Sequence, residues 1–125
     1  MAKKTWTITY LNGTPSLEVE AESFVKAVEK EKDKLFYADF HGADLSFAYL
    51  DGADFHGADL GDAYLCGADL HGANLYGARL TGTNLDFTDF RGADLRTSDL
   101  SGSKWYNADL RGAYLDGAKG LPRLG

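Results

Sequence analysis

The sequence predicts an all-β solenoid, a chain that turns a corner every five residues and stacks into a square coil behind a small ββα unit. Three observations carry that prediction. Leu, Phe or Trp recurs at every fifth residue without a slip from Leu35 to Leu115. From Ala38 onward a small residue stands two positions before each centre: usually Ala, with Thr83, Thr88, Ser98 and Ser103 as the substitutes. Gly commonly stands two positions after a centre, as in GADFHGADLGDAYLCGADLHGANLYGARL at 52–80.

A period of five defeats both regular structures. An α-helix advances about 100° per residue, so leucines five apart would smear around its surface. A strand reverses its face at every odd step, so they would alternate sides. Within a unit, however, Ala-Asp-Leu reads as a short strand with small residue in, polar residue out and large residue in. The odd step that follows needs a corner, and Gly at the second central position of a type II turn supplies the positive φ required there. With corners near 90°, four units close one coil, and coils stack at about 4.8 Å. Residues 35–119 then make a little over four coils, a rod roughly 20 Å long. Leu45, Leu65, Leu85 and Trp105 form one column of the predicted core, and Leu70, Phe90 and Leu110 belong to the next.

The two ends break the rule. Residues 1–34 form a predicted cap, with strands at 5–12 (TWTITYLN) and 16–22 (SLEVEAE) and an Asn12-Gly13 hairpin signal between them. ESFVKAVEKEKDKL then reads as a helix with Ser23 as N-cap. Too small to hold a core alone, the cap is expected to lay Trp6, Phe24 and Val28 over the first coil. At 120–125 the repeat stops: Gly120 takes a centre position, Pro122 ends further pairing, and Leu121 and Leu124 are left as a thin cover for the last rung.

The bulk composition narrows the function classes. A net charge of -6 and a pI near 4.9 argue against direct nucleic-acid binding and against an anionic membrane surface. No apolar run suits a signal peptide or a membrane span, and Cys66 has no disulfide partner, so a cytoplasmic location is expected. The charge is uneven. Residues 35–78 hold seven Asp and no Lys or Arg, whereas residues 79–119 hold six Asp against six Lys and Arg.

Stacking residues 20 apart assigns the outer faces. The third face, centred on Leu45, Leu65, Leu85 and Trp105, carries Tyr64 and Tyr106, with Phe47 and Phe87 at its corner. Two readings of those phenylalanines stand: they pack on each other across a corner that is not type II, or they form a contact patch. With the acidic residues Asp39, Asp44, Asp54, Asp59 and Asp69, the four aromatics make the candidate interaction surface.

Residues able to carry chemistry are present but scattered. His41, His56 and His71 fall on three faces and Cys66 on the fourth, so no metal site forms from them. Arg91 and Arg111 are placed to neutralise the stacked Asp69, Asp89 and Asp109. A convex rod with a filled axis offers no water-excluding cleft, so no catalytic residue, cofactor or metal is assigned and the chain is read as a non-enzyme.

The run GADLHGANLYGARL and its neighbours resemble the pentapeptide-repeat proteins, over residues 35–119. That resemblance implies a right-handed quadrilateral β-helix of about four coils. The hairpin-plus-helix opening is similar to those of members carried by phages and prophages. The resemblance implies a non-catalytic interaction or structural scaffold with an unknown protein partner, and a homodimer through the C-terminal end. One branch of the family protects DNA gyrase and is read as mimicking duplex DNA. The alternative function is therefore an acidic DNA mimic that binds DNA gyrase or another DNA-handling enzyme, although the shorter rod and unbroken register depart from that branch.

Overall fold

Each unit of the repeat becomes one short extended segment and one tight turn. In the computed structural model, which describes residues 2–121, the small residue donates its N–H to the carbonyl of the preceding centre, as in Ala48 to Leu45 (3.2 Å) and Ala53 to Leu50 (3.1 Å). That bond closes a four-residue turn. Its third residue has positive φ, for example Gly52 at 71° and Gly72 at 69°, and its second does not. This is the type II geometry that the glycines predict.

Parallel bridges then join residues 20 apart in four columns, such as Asp39–Asp59–Arg79–Asp99–Lys119 and Asp44–Tyr64–Asn84–Lys104. The first face carries Asp54, Asn74, Asp94 and Tyr114, the second Asp39 and Asp59, the third Asp44 and Tyr64, the fourth Tyr49, Asp69, Asp89 and Asp109. Each column is stitched in both directions: Leu45 donates to the Tyr64 carbonyl (2.8 Å), and Tyr64 donates to that of Ala43 (2.9 Å). The centres from Leu35 to Leu100 are buried, with Leu45, Leu65, Leu85, Leu70 and Phe90 at 0% exposure. Each such side chain contributes about 1.5–3 kcal/mol relative to leaving it in water. Alanines fill the corners of the section, and the hydroxyls that replace some of them are satisfied. Thr83 donates to the Leu60 carbonyl and Thr88 to that of Leu65, both at 2.7 Å.

The cap is built as an adapter. Strand β1 (Lys4–Ile8) pairs antiparallel with β2 (Leu17–Ala21), and helix α1 (Phe24–Lys30) follows, capped by the Ser23 hydroxyl accepting from the Lys26 N–H (3.1 Å). The strands are shorter than 5–12 and 16–22, and Asn12-Gly13 does not form a two-residue hairpin turn, because Thr9–Leu11 leaves β1 to pair with the first coil. Asp39 donates to the Thr9 carbonyl, and Leu11 donates to that of Tyr37, both at 2.8 Å. The helix likewise stops early and gives way to a 3₁₀ turn at Lys32–Lys34, where the Lys32 carbonyl accepts the Asp54 N–H (2.9 Å). On the fourth face a side chain finishes the ladder: the Glu29 carboxylate accepts the Tyr49 N–H at 2.7 Å. Three of the four faces are thus closed at this end. Inside, Trp6, Phe24, Phe40 and Phe55 follow one another edge to face at 5.8–6.1 Å, carrying the core from cap to axis.

At the other end Trp105, Leu110 and Leu115 are only partly buried. Leu121 is exposed. The covering role expected of Leu124, and the stop at Pro122, lie outside the described residues.

Candidate interaction surface

The faces of the rod are flat ladders, and what each carries follows from the 20-residue register. On the third face Phe47, Tyr64, Phe87 and Tyr106 are all more than half exposed. Phe47 and Phe87 do not pack on each other, and their corner is not a different turn. They stand two coils apart with Gly67 between them, at φ 62° and 61°, in the same left-handed conformation as the glycine corners. The Phe47 ring covers Gly67 so closely that a Cβ there would fall 2.6 Å from it. Phe87 instead meets Tyr106 edge to face, with centroids 5.4 Å apart. A left-handed backbone costs a non-glycine residue about 1–2 kcal/mol, and neither ring recovers that by filling the axis.

The five acidic candidates are not brought together. Asp39 and Asp59 share the second face, Asp44 lies on the third, Asp54 on the first and Asp69 on the fourth. Each accepts the backbone N–H two residues ahead: Asp39 from His41, Asp44 from Ser46, Asp54 from His56, Asp59 from Gly61 and Asp69 from His71, at 2.8–3.1 Å. Asn74 and Asn84 do the same with an amide oxygen. The Asp or Asn before each centre therefore serves the turn first, and its charge is secondary. The backbone N–H of Ser46 holds the Asp44 carboxyl below the usual carboxylate range.

Arginines neutralise many of the remaining acids. Arg79 reaches Asp59 at 3.2 Å, and Arg91, Arg96 and Arg111 grip Asp89, Asp94 and Asp109 at 2.7–2.8 Å. The Arg111 guanidinium pulls the Asp109 carboxyl down to about 2. In the fourth-face column Arg91 and Arg111 thus pair with Asp89 and Asp109, while Asp69 has no ion pair among the described residues.

One aromatic column escaped the sequence reading. On the first face Phe36 stacks on His56 (5.3 Å, 6° between planes), and Tyr37 meets the same imidazole edge-on at 5.2 Å. His56 Nδ1 lies 2.7 Å from Asp54. Further along, the Arg96 guanidinium lies over the Tyr76 ring at 5.4 Å while chelating Asp94. The signal was the residue after each centre, at positions 36, 56, 76 and 96. Among the described residues no three His, Cys, Asp or Glu side chains stand close enough to hold a metal. The hollow of about 420 Å³ on the cap is open, and two of its lysines are engaged, Lys26 with Glu29 (3.3 Å) and Lys30 with the Glu20 carbonyl (2.6 Å).

Known proteins share this geometry. The profile of the family "Pentapeptide repeats" matches residues 38–60, 58–96 and 97–119, in eight copies. Among solved structures the chain is similar to HetL, a pentapeptide repeat protein involved in heterocyst differentiation regulation in the cyanobacterium Nostoc sp. strain PCC 7120. The identity is 36% and the TM-score 0.61, over 64% of this chain and 39% of that one. It is similar also to a pentapeptide repeat protein of the Arabidopsis thaliana thylakoid lumen, at 35% identity and TM-score 0.59, over 64% of this chain and 59% of the other. A further Nostoc PCC 7120 pentapeptide repeat protein aligns at 25% identity and TM-score 0.58, over 76% of this chain and 91% of its own. The match thus spans less than two thirds of HetL and of the Arabidopsis protein. A comparison with curated proteins yields no match.

Proposed function

This chain belongs to the pentapeptide-repeat family, whose members fold as right-handed quadrilateral β-helices, and from that premise we propose that it is a non-catalytic scaffold presenting flat faces to a protein partner. The observation that carries the reading is the filled axis. Every centre from Leu35 to Leu100 is buried against its neighbours, so the rod's interior is packed and its side chains can meet other molecules only on its outer faces and at the ends. HetL, with the same repeat, is involved in regulating differentiation, a role that a rigid contact surface can serve. Affinity capture from the native host, read by mass spectrometry, tests the proposal. A protein partner should be enriched reproducibly over a control rod; enrichment of nothing, with turnover of a small molecule by the pure chain, contradicts it.

The alternative, an acidic DNA mimic acting on DNA gyrase or a similar enzyme, draws on the seven Asp of residues 35–78. B-DNA carries one charge per ~1.7 Å along its axis, so such a mimic needs its carboxylates in tracks, and binding should fall steeply with salt. Here the acids are spread around four faces. Unchanged gyrase supercoiling at micromolar chain removes that reading and leaves the scaffold standing.

Self-association through the C-terminal end is part of the proposal. Its support is a rung of half-covered Trp105, Leu110 and Leu115 in the half of the rod whose charges balance. Light scattering should give a mass that rises toward two chains with concentration; a strict monomer at high concentration contradicts it.

A further inference from the structure

Phenylalanine stands at two corners where this fold favours glycine. Phe47 and Phe87 share the left-handed φ of Gly42, Gly52, Gly72 and Gly92, yet their rings point away from the axis into solvent. They recur every second coil, about 10 Å apart at ~4.8 Å per coil, and Tyr64 and Tyr106 flank them on the third face. The N-terminal part of that face is negative: Asp44 is the ladder neighbour of Tyr64, Asp62 sits at the face's other corner with an oxygen 3.5 Å from His41 Nε2, and no Lys or Arg occurs in residues 35–78. The molecule already shows what such a surface holds. On the first face Arg96 lays its guanidinium over Tyr76 at 5.4 Å and chelates Asp94 at 2.8–2.9 Å. The third face offers rings and carboxylates of the same kind; among the described residues its ladder carries no arginine, and its one cation, Lys104, stands two coils beyond Tyr64.

We propose that the corner of Phe47 and Phe87, with Tyr64, Asp44 and Asp62, is a docking track for an extended, arginine-bearing segment of a partner protein. Guanidinium groups stack on the exposed rings and pair with the two carboxylates, and their positive charge complements the acidic half of the rod. Arginine is favoured over lysine because its planar head can do both at once, as Arg96 does. The proposal rests on the scaffold reading and gives it a partner class.

The test is titration of a short alternating arginine–glycine peptide into the ¹⁵N-labelled full chain. Amide shifts should cluster at residues 44–49, 62–67 and 84–87. The double variant Phe47→Gly/Phe87→Gly should stay folded, with a melting temperature at or above the parent's, because glycine suits the positive φ. It should bind the peptide about tenfold more weakly, the effect of two lost cation–π contacts. Asp44→Asn should keep its turn, as Asn74 and Asn84 do, and still weaken binding. An alternating lysine–glycine peptide should bind less well than the arginine one. Parent-like affinity in the glycine double variant, equal affinity for the lysine peptide, or shifts spread evenly over every Asp-bearing face would overturn the proposal. If those results arise while affinity capture still returns a protein, the track fails and the scaffold stands.

Discussion

The two ends of this rod obey the same five-residue rule and finish it differently. At the first coil, elements outside the repeat supply what the missing coil would have given: the Thr9 and Lys32 carbonyls accept from Asp39 and Asp54, and the Glu29 carboxylate accepts from Tyr49. Phe24 and Val28 close the axis, Val28 being fully buried. At the last coil Trp105, Leu110 and Leu115 are half covered. Among the described residues their N–H groups have no acceptor, whereas Leu85, Phe90 and Leu95 donate to the coil above. Among the same residues the buried Trp105 Nε1–H has no partner either. A repeat specifies its own interior and cannot specify its ends. Closure at either end therefore depends on residues that the repeat does not dictate.

The largest effect should separate interior from open end. Leu60→Ala, in a fully buried rung, should cost about 2–5 kcal/mol, while Leu115→Ala should cost about a third of that because Leu115 is already partly in water. Urea denaturation compares them, and equal losses would erase the distinction between the coils. Next comes Ala68→Leu, which forces methylenes into the filled section at about 1–3 kcal/mol. Its neighbour Asp69→Ala loses only a turn hydrogen bond, about 1 kcal/mol. Matching melting temperatures for that pair would contradict the inside–outside assignment.

At the closed end Glu29→Ala should cost about 1 kcal/mol, by stranding the Tyr49 N–H. Glu29→Gln, which keeps an acceptor oxygen, should recover most of it. If the two melt alike, the carboxylate is not finishing the ladder.

The smallest effect is acidic. Arg111 lowers the Asp109 carboxyl to about 2, and Arg91 and Arg96 lower Asp89 and Asp94. Because the unfolded chain takes up these protons near pH ~3.9, the stability they contribute is complete above that pH and is lost as pH falls through the lower folded values. A carboxyl-detected titration should place the Asp109 midpoint near 2; a midpoint at the ordinary value would mean that the Arg111 pair does not persist in solution.

Much of this was legible from spacing alone, because position modulo five sets the turn and position modulo twenty sets the face. That arithmetic located the buried column Leu45, Leu65 and Leu85, whose last member, Trp105, is only partly covered, and it separated the three histidines. It failed where side chains choose their own direction. Of the two readings open for Phe47 and Phe87, mutual packing fails: each leans toward the coil above, onto Gly67 in one case and Tyr106 in the other. The acids before the centres read as surface charge, yet Asp39, Asp44, Asp54, Asp59 and Asp69 each commit one carboxylate oxygen to the backbone N–H two residues ahead. The cap was legible in type and not in extent. Asn12-Gly13 is a strong local signal, yet pairing of Tyr10 with Ala38 in the first coil overrode it, as tertiary contacts override propensity generally.

Hydrogen exchange, followed residue by residue at rising protein concentration, tests the asymmetry of the ends most directly. In dilute solution the amides of Trp105, Leu110 and Leu115 should exchange far faster than those of Leu45 to Leu85, and they should gain protection in step with the mass seen by light scattering. Protection of the last coil equal to that of the middle coils in a dilute monomer would show that the C-terminal end is closed after all.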